Sequence, residues 1–347
     1  MHDEHPQRGA RRRESNGRSR AERIKMRALA VVCLAMGTMA AQTADLQGVW
    51  VNNDATPLER PKALEGRQFL TDAEVAELKQ RADRLFKYGN NDAASGDNVF
   101  LAALANVEHY QNPAGHSTSG SAEMMERVFD NRTSLIVDPP DGKIPALTPE
   151  GRRRKAAADA VVLRPPASPE NTTNSNRCIT FGVPRLGGNV GAGGFGYYQI
   201  LQTPGHVVFF MEAIHEARII PLDGRPHLPS NVRQWTGDSR GHWEGKTLVV
   251  DTTNFSPQSY FMGSAENLHL VERFTRVAPE TLKYDITVDD PTTWTKPWTA
   301  SLRLHQTQEA IYEFACHEGN YDVMVDMLGA ARADKNAAEE AAKKTPK

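Results

Sequence analysis

The sequence predicts a mainly β fold: an antiparallel meander that forms a barrel or a strongly curved sheet, with helices at its periphery. Two observations lead there. From Cys178 onward, short β-rich runs follow one another on tight turns with no helical segment between them. Such spacing demands antiparallel pairing, because parallel neighbours need a crossover of about a dozen residues or more. A meander of about six to nine strands then curls to bury one face and protect its edges. The 347 residues are 39% hydrophobic and 24% charged, so a packed core is within reach and global disorder is excluded.

The elements follow in chain order. Asp45 to Trp50 reads as a short first strand. Residues 71–88 read as a helix: Thr71 can cap it, Glu74 completes a capping box, and Val75, Leu78, Ala82, Leu85 and Phe86 recur at helical spacing. A polar loop at 90–96 follows. Arg127 to Val137 alternates like a strand and runs into the turn Asp138-Pro139-Pro140-Asp141-Gly142. Residues 149–160 form a charged helix with Pro149 at its start. Pro165 to Asn176 is loop. The strands of the second half are 197–202, 207–214, 218–221, 247–252, 268–277, 281–288, 300–304 and 311–316. Beyond Met324 the chain becomes an exposed helical tail, charged over 331–347. No repeat or linker divides residues 45–330, which read as one β-rich domain.

The first 44 residues read differently. They carry nine basic against four acidic side chains, which leaves the remainder near −7 when the whole chain is −2. A mildly acidic body argues against a nucleic-acid partner, which needs clustered basic surface. From Met26 a basic start, an apolar stretch and the small residues at 40–44 form a secretory signal, with Met26 as the expected true start. The stretch is shorter than the roughly 20 residues a bilayer span needs. Cys33 sits in no convincing lipoprotein motif, so export by the general secretory route to the periplasm or beyond is expected, without stable membrane insertion. Cys178 and Cys316 then remain, either bridged or as two buried thiols; a bridge would be worth about 4 kcal/mol.

Several polar clusters could carry chemistry. Gly237-Asp238-Ser239-Arg240-Gly241 has the Gly-x-Ser-x-Gly spacing of serine hydrolases, but a β run follows instead of the helix that an elbow requires, so it reads as a turn. In Glu212 to Arg218, Glu212 continues the face of Val208 and Phe210 and is expected to look inward, with Arg218 as its partner. His215 lies on the opposite face unless a bulge re-aims it. Glu272 shares a face with Leu268, Leu270 and Phe274, another acid on an apolar face. His317, at the expected exit of the last strand, can exchange protons near neutral pH. Glu212, His215, Arg218, Glu272 and His317 are therefore the candidate catalytic residues. Tyr197, Tyr198, Trp235, Asp238, Trp294, Trp298 and Tyr321 are the candidate substrate-binding ones. Trp294 and Trp298 are placed in an exposed loop. Scattered histidines with no metal-binding spacing, and a glycine-rich run at 187–194 that precedes a strand, predict neither metal nor cofactor.

Gly48-Val49-Trp50 resembles the Gly-x-Trp that opens lipocalin-like barrels, where the Trp plugs the barrel base. Residues 196–321 resemble a large set of uncharacterised exported proteins of Gram-negative bacteria. The resemblance lies in Gly196-Tyr-Tyr-Gln199, Trp235 to Gly245, Thr247 to Phe255, Glu272-Arg273-Phe274, Asp289-Asp290-Pro291 and Cys316 to Tyr321. It implies export and names no activity. The expectation is thus a periplasmic enzyme, a lyase, isomerase or hydrolase, using acid–base chemistry on a small or medium organic substrate in a barrel pocket. The alternative is a non-catalytic lipocalin-like binder of an apolar or sugar ligand.

Overall fold

The structure, a computed structural model, describes residues 44–87, 97–111, 127–162, 166–184 and 196–344. The signal expected over residues 1–44 lies outside them up to residue 43, as do the polar loop expected at 90–96 and the glycine-rich run at 187–194.

Ten strands form one antiparallel sheet: β1 (Gly48–Val51), β2 (Ile136–Asp138), β3 (Tyr197–Gln202), β4 (His206–Met211), β5 (Ala217–Pro221), β6 (Asp238–Glu244), β7 (Thr247–Thr253), β8 (His269–Ala278), β9 (Thr281–Asp289) and β10 (Trp298–Thr307). The order is β5-β4-β3-β1-β10-β9-β8-β7-β6, with β2 also on β10. Two meanders, β3–β5 and β6–β10, are thus joined by β1, where Trp50 lies opposite Tyr198 on one side and Gln306 on the other. The expected simple meander is corrected to this order.

The sheet curls until its edge strands approach. A Cβ on Gly241 of β6 would lie 2.8 Å from Ile220 of β5 and 2.8 Å from Leu222. No ladder joins β5 to β6 among the described residues, so the sheet is strongly curved and not closed into a barrel. Its inner face is apolar: Ile200, Val207, Leu248, Val250, Leu270 and Ile286 are all buried in one cluster. The outer face alternates with it; on β9, Lys283, Asp285 and Thr287 are half-buried where Leu282, Tyr284 and Ile286 are buried. Trp50 is fully buried, donates from Nε1 to the Leu46 carbonyl at 2.9 Å and carries the Arg276 guanidinium 5.4 Å from its ring centre.

Helix α1 (Asp72–Phe86) begins at the capping box the sequence signals, with Thr71 and Glu74 bonded reciprocally, and buries Leu78, Ala82 and Leu85. It packs on α2 (Asn98–Ala105), an eight-residue apolar segment in which no periodicity marks a helix. Asn106 in the left-handed conformation (φ 52°) ends α2. Helix α3 spans Pro149–Val162 and α4 spans Cys316–Lys344.

Three expected elements differ. The strand expected over 127–137 is reduced to β2 and two isolated bridges. Gly237 to Gly241, read as a turn, leads into β6 instead, because Asp238, Arg240, His242 and Glu244 supply a polar outer face while Ser239 and Gly241 turn inward. The run at 311–316 is not a strand: β10, the strand it follows, already has β9 on one side and β1 and β2 on the other and so cannot pair with it, and Cys316 starts α4. Cys316 is bonded to Cys178 across 138 residues, which ties the loop before β3 to the start of α4. A loop of that length is worth about 5 kcal/mol in the chain-entropy account.

The contact at Gly241 generates a prediction. Gly241→Val forces Ile220 and Leu222 apart and lowers unfolding stability by about 1–3 kcal/mol in urea denaturation. An unchanged midpoint would show that the edges do not press together there.

Candidate functional site

Among the described residues the curled sheet encloses the ion pair of Arg218 and Glu272. Arg218, on edge strand β5, points inward with Ile220, and Glu272, on β8, lies between Leu270 and Phe274 on the inner face. Arg218 Nη1 donates to Glu272 Oε1 at 3.1 Å, and Nη2 donates to Oε2 at 2.6 Å. Nη2 also reaches the hydroxyls of Ser239 on β6 (3.1 Å) and Thr252 on β7 (3.2 Å). The Tyr284 hydroxyl donates to Glu272 Oε1. Burial would lower the Arg218 pKa, but Glu272 outweighs it and raises the value, so the cation persists. Burial, and then Glu272, push the Tyr284 phenol well above its ordinary value and keep it a neutral donor. The cavity beside the pair measures about 20 Å³, room for about one water-sized group.

The larger opening lies outside the curl. A cleft of about 570 Å³ runs between α3, the loop 170–183 and the loop 255–261. Trp235, Phe181, Phe255, Tyr260 and Phe261 contribute aromatic walls, and Thr173, Asn174, Thr180 and Gln258 contribute polar groups. Arg177 is its cation. Its Nη2 donates to Asn174 Oδ1 at 2.8 Å, while its Nε is buried without a hydrogen-bond partner. Among the described residues it makes no ion pair within 4 Å, although Glu170 at the rim feels its charge. Asp159, also in the lining, is neutralised by Lys155 at 2.7 Å.

A third polar group sits on the outer face of β6–β8. Asp238 Oδ2 lies 2.9 Å from His227 Nδ1, and its Oδ1 accepts from Arg240 at 2.6 Å. His227 Nε2 and His269 Nε2 each lie 2.8 Å from an oxygen of Asp251. The network fastens the loop at 223–235 to the sheet. The hydrogen bond to Asp251 raises the His269 pKa against partial burial. Burial pushes Asp251 up, but the bonds from His269 and His227 prevail and hold its carboxylate low. No group of three or more His, Cys, Asp or Glu side chains among the described residues could hold a metal ion.

The expected site residues are dispersed over these places. Arg218 and Glu272 meet in the interior. Glu212 does not look inward: Val207, Phe209 and Met211 face the core, so Glu212 follows the outer parity of Val208 and Phe210 and is half-buried after the strand end. Its expected partner Arg218 bonds to Glu272 instead. Burial and the nearby Glu309 raise the Glu212 pKa. Tyr197 donates its hydroxyl to the same Glu309 and is pushed up to about 12, first by burial and then by that bond. His215 is exposed in a short turn where it and Ile214 both have positive φ (49° and 58°). His317 is exposed in the first turn of α4, and Tyr321 is 74% exposed on the same helix. Tyr198 is buried beside the small cavity. Trp235 is half-buried in the cleft, whereas Asp238 is occupied by His227, Arg240 and the Leu228 amide. Trp294 and Trp298, expected at the surface, are 2% and 0% exposed and pack edge to face in the core.

Arg177, Val183 and Tyr260 carry no signal in their local sequence. Beside Arg177 in the cleft stand Trp235 and Gln258, which lie 58 and 81 residues further along the chain. Compared with known protein families, curated proteins and solved structures, the chain gives no match.

The outer network has a pH signature. Because the folded-state pKa of His269 is raised, its contribution is complete below about pH 6.5 and lost as pH rises through the folded value. The lowered Asp251 value adds a contribution present above about pH 4 and lost in acid. His269→Gln therefore reduces stability most between these limits, by less than about 1 kcal/mol because both side chains are more than a third exposed. Urea titrations across the range check it; a loss that grows toward alkaline pH contradicts it.

Proposed function

We propose that this chain is an exported binding protein whose 570 Å³ cleft takes a small organic acid bearing a ring. The observation that carries the reading is Arg177: Arg132 and Arg218 are paired with carboxylates, whereas Arg177 faces an aromatic cleft with a buried, unpartnered Nε. A cation so placed is suited to a carboxylate, which it can meet with two parallel hydrogen bonds. Trp235 and Tyr260 suit a ring that stacks or packs edge-on. The volume lies within the usual range of ligand pockets, about 300–1,000 Å³.

Export belongs to the same proposal. The signal at Met26, the resemblance to exported Gram-negative proteins and the Cys178–Cys316 bond support an oxidising compartment, the periplasm or outside. Among the described residues no helix is long and apolar enough to cross a membrane.

Acid–base catalysis is the second reading, favoured by Tyr197, Glu212 and Glu309, where burial raises both the phenol and the Glu212 carboxyl. The interior pair adds little to it, since Glu272 has Arg218 on both oxygens and the cavity beside it holds about one water-sized group.

Titration calorimetry and Trp fluorescence with benzoate and glucuronate test the cleft and separate aromatic acids from acidic sugars. One of the two binds, Arg177→Gln weakens it by about 10-fold or more, and Trp235→Ala abolishes the fluorescence response. Binding of neither acid, or equal affinity in Arg177→Gln, overturns the reading.

A further inference from the structure

The cleft and the interior cavity share a wall. Val183 lines both, with Phe255 and Leu268 on the cleft side and Phe209, Met211 and Phe274 on the inner side. Behind it lies Arg218. Four of its contacts use Nη1 and Nη2, while its Nε–H is fully buried and finds no acceptor. A buried donor without a partner is costly to fold around, and this one belongs to a residue that lines a cavity the size of one oxygen-bearing group.

We propose that the two cavities are the outer and inner ends of a single binding site parted by Val183, and that the inner end takes a neutral oxygen acceptor of the ligand onto Arg218 Nε. The proposal rests on the cleft as the ligand site and adds the second group recognised there: a carbonyl or hydroxyl oxygen at the end remote from the acid. Charge decides that this group is neutral. The Arg218 cation is balanced by Glu272, and Tyr284 remains an uncharged phenol, so the inner end carries no net charge. A second anion there would meet Glu272 among apolar walls, where Coulomb repulsion is strong and hydration is lost. A carbonyl oxygen brings only an acceptor. Size decides that the group is terminal, because about 20 Å³ admits one such atom and no ring. The ligand class is therefore a ring acid with an oxo or hydroxyl substituent pointing away from the carboxylate. Val183 must turn aside for the oxygen to pass.

The test uses acetamide as a neutral acceptor and acetate as its charged counterpart, with the full chain labelled at arginine nitrogen. The Arg218 Nε–H resonance is assigned through the rings of Phe209 and Phe274, which line the same cavity. Acetamide shifts it saturably and acetate leaves it in place. Val183→Ala, verified as folded by its thermal transition, tightens acetamide by roughly fivefold or more, because the open form no longer has to be selected. An Arg218 resonance unmoved by acetamide in both proteins, or moved equally by acetate, overturns the proposal. The two readings fail separately: benzoate binding at Trp235 without acetamide at Arg218 removes only the inner end. Acetamide at Arg218 without either ring acid in the cleft removes only the outer one.

Discussion

The sheet of this protein is held in its curl by a side chain rather than by a ladder. Arg218 projects from one edge strand and bonds to Ser239 on the other edge, to Thr252 on the next strand and to Glu272 on the third. One guanidinium thus spans the seam that backbone hydrogen bonds leave open. Its planar fork suits the task, since several donors point in fixed directions toward separate acceptors. The apolar inner face gains most of its stabilisation from burial, but that force has no direction. The Arg218 contacts supply direction, and they set which residues of β5 face β6.

This arrangement determines where function can reside. Around the pair, Phe209, Phe274 and Tyr284 stack with ring centres 4.6 and 4.3 Å apart, and the interior is filled as a core is filled. The larger open space lies outside the curl, where α3 and two loops leave a cleft against Trp235 and Phe261. The disulfide at Cys178 fixes the loop that carries Arg177 and Val183, so the cleft's cation and its inner wall are anchored to the same covalent bond. Buried charge holds the scaffold together, and the less satisfied Arg177 faces the cleft.

Parts of this were legible in the sequence. Glu272 could be placed inward because Leu270 and Phe274 alternate with His269 and Arg273, which fixes the parity of the strand. Thr71 and Glu74 announced α1 for a similarly local reason. Glu212 was misplaced because every residue from Val207 to Met211 is apolar, and a run without alternation does not say which face is inner. The run before Cys316 has strand-like residues, yet a strand there needs a partner, and its neighbour β10 is taken on both sides by β1, β2 and β9. Arg177 was invisible for the same reason: its environment is assembled from distant segments. Local periodicity reports local geometry, and partners chosen by topology leave no trace at one position.

The account stands on the mutual dependence of Arg218 and Glu272, which a double-mutant cycle measures directly. Arg218→Met and Glu272→Leu, singly and together, are compared by equilibrium unfolding at neutral pH. Each single change leaves a buried group without its counter-charge and costs about 3–5 kcal/mol, while the double loses less than the sum by about 2 kcal/mol or more. Strictly additive losses would mean that the two side chains act independently, and that something other than their pairing holds the seam.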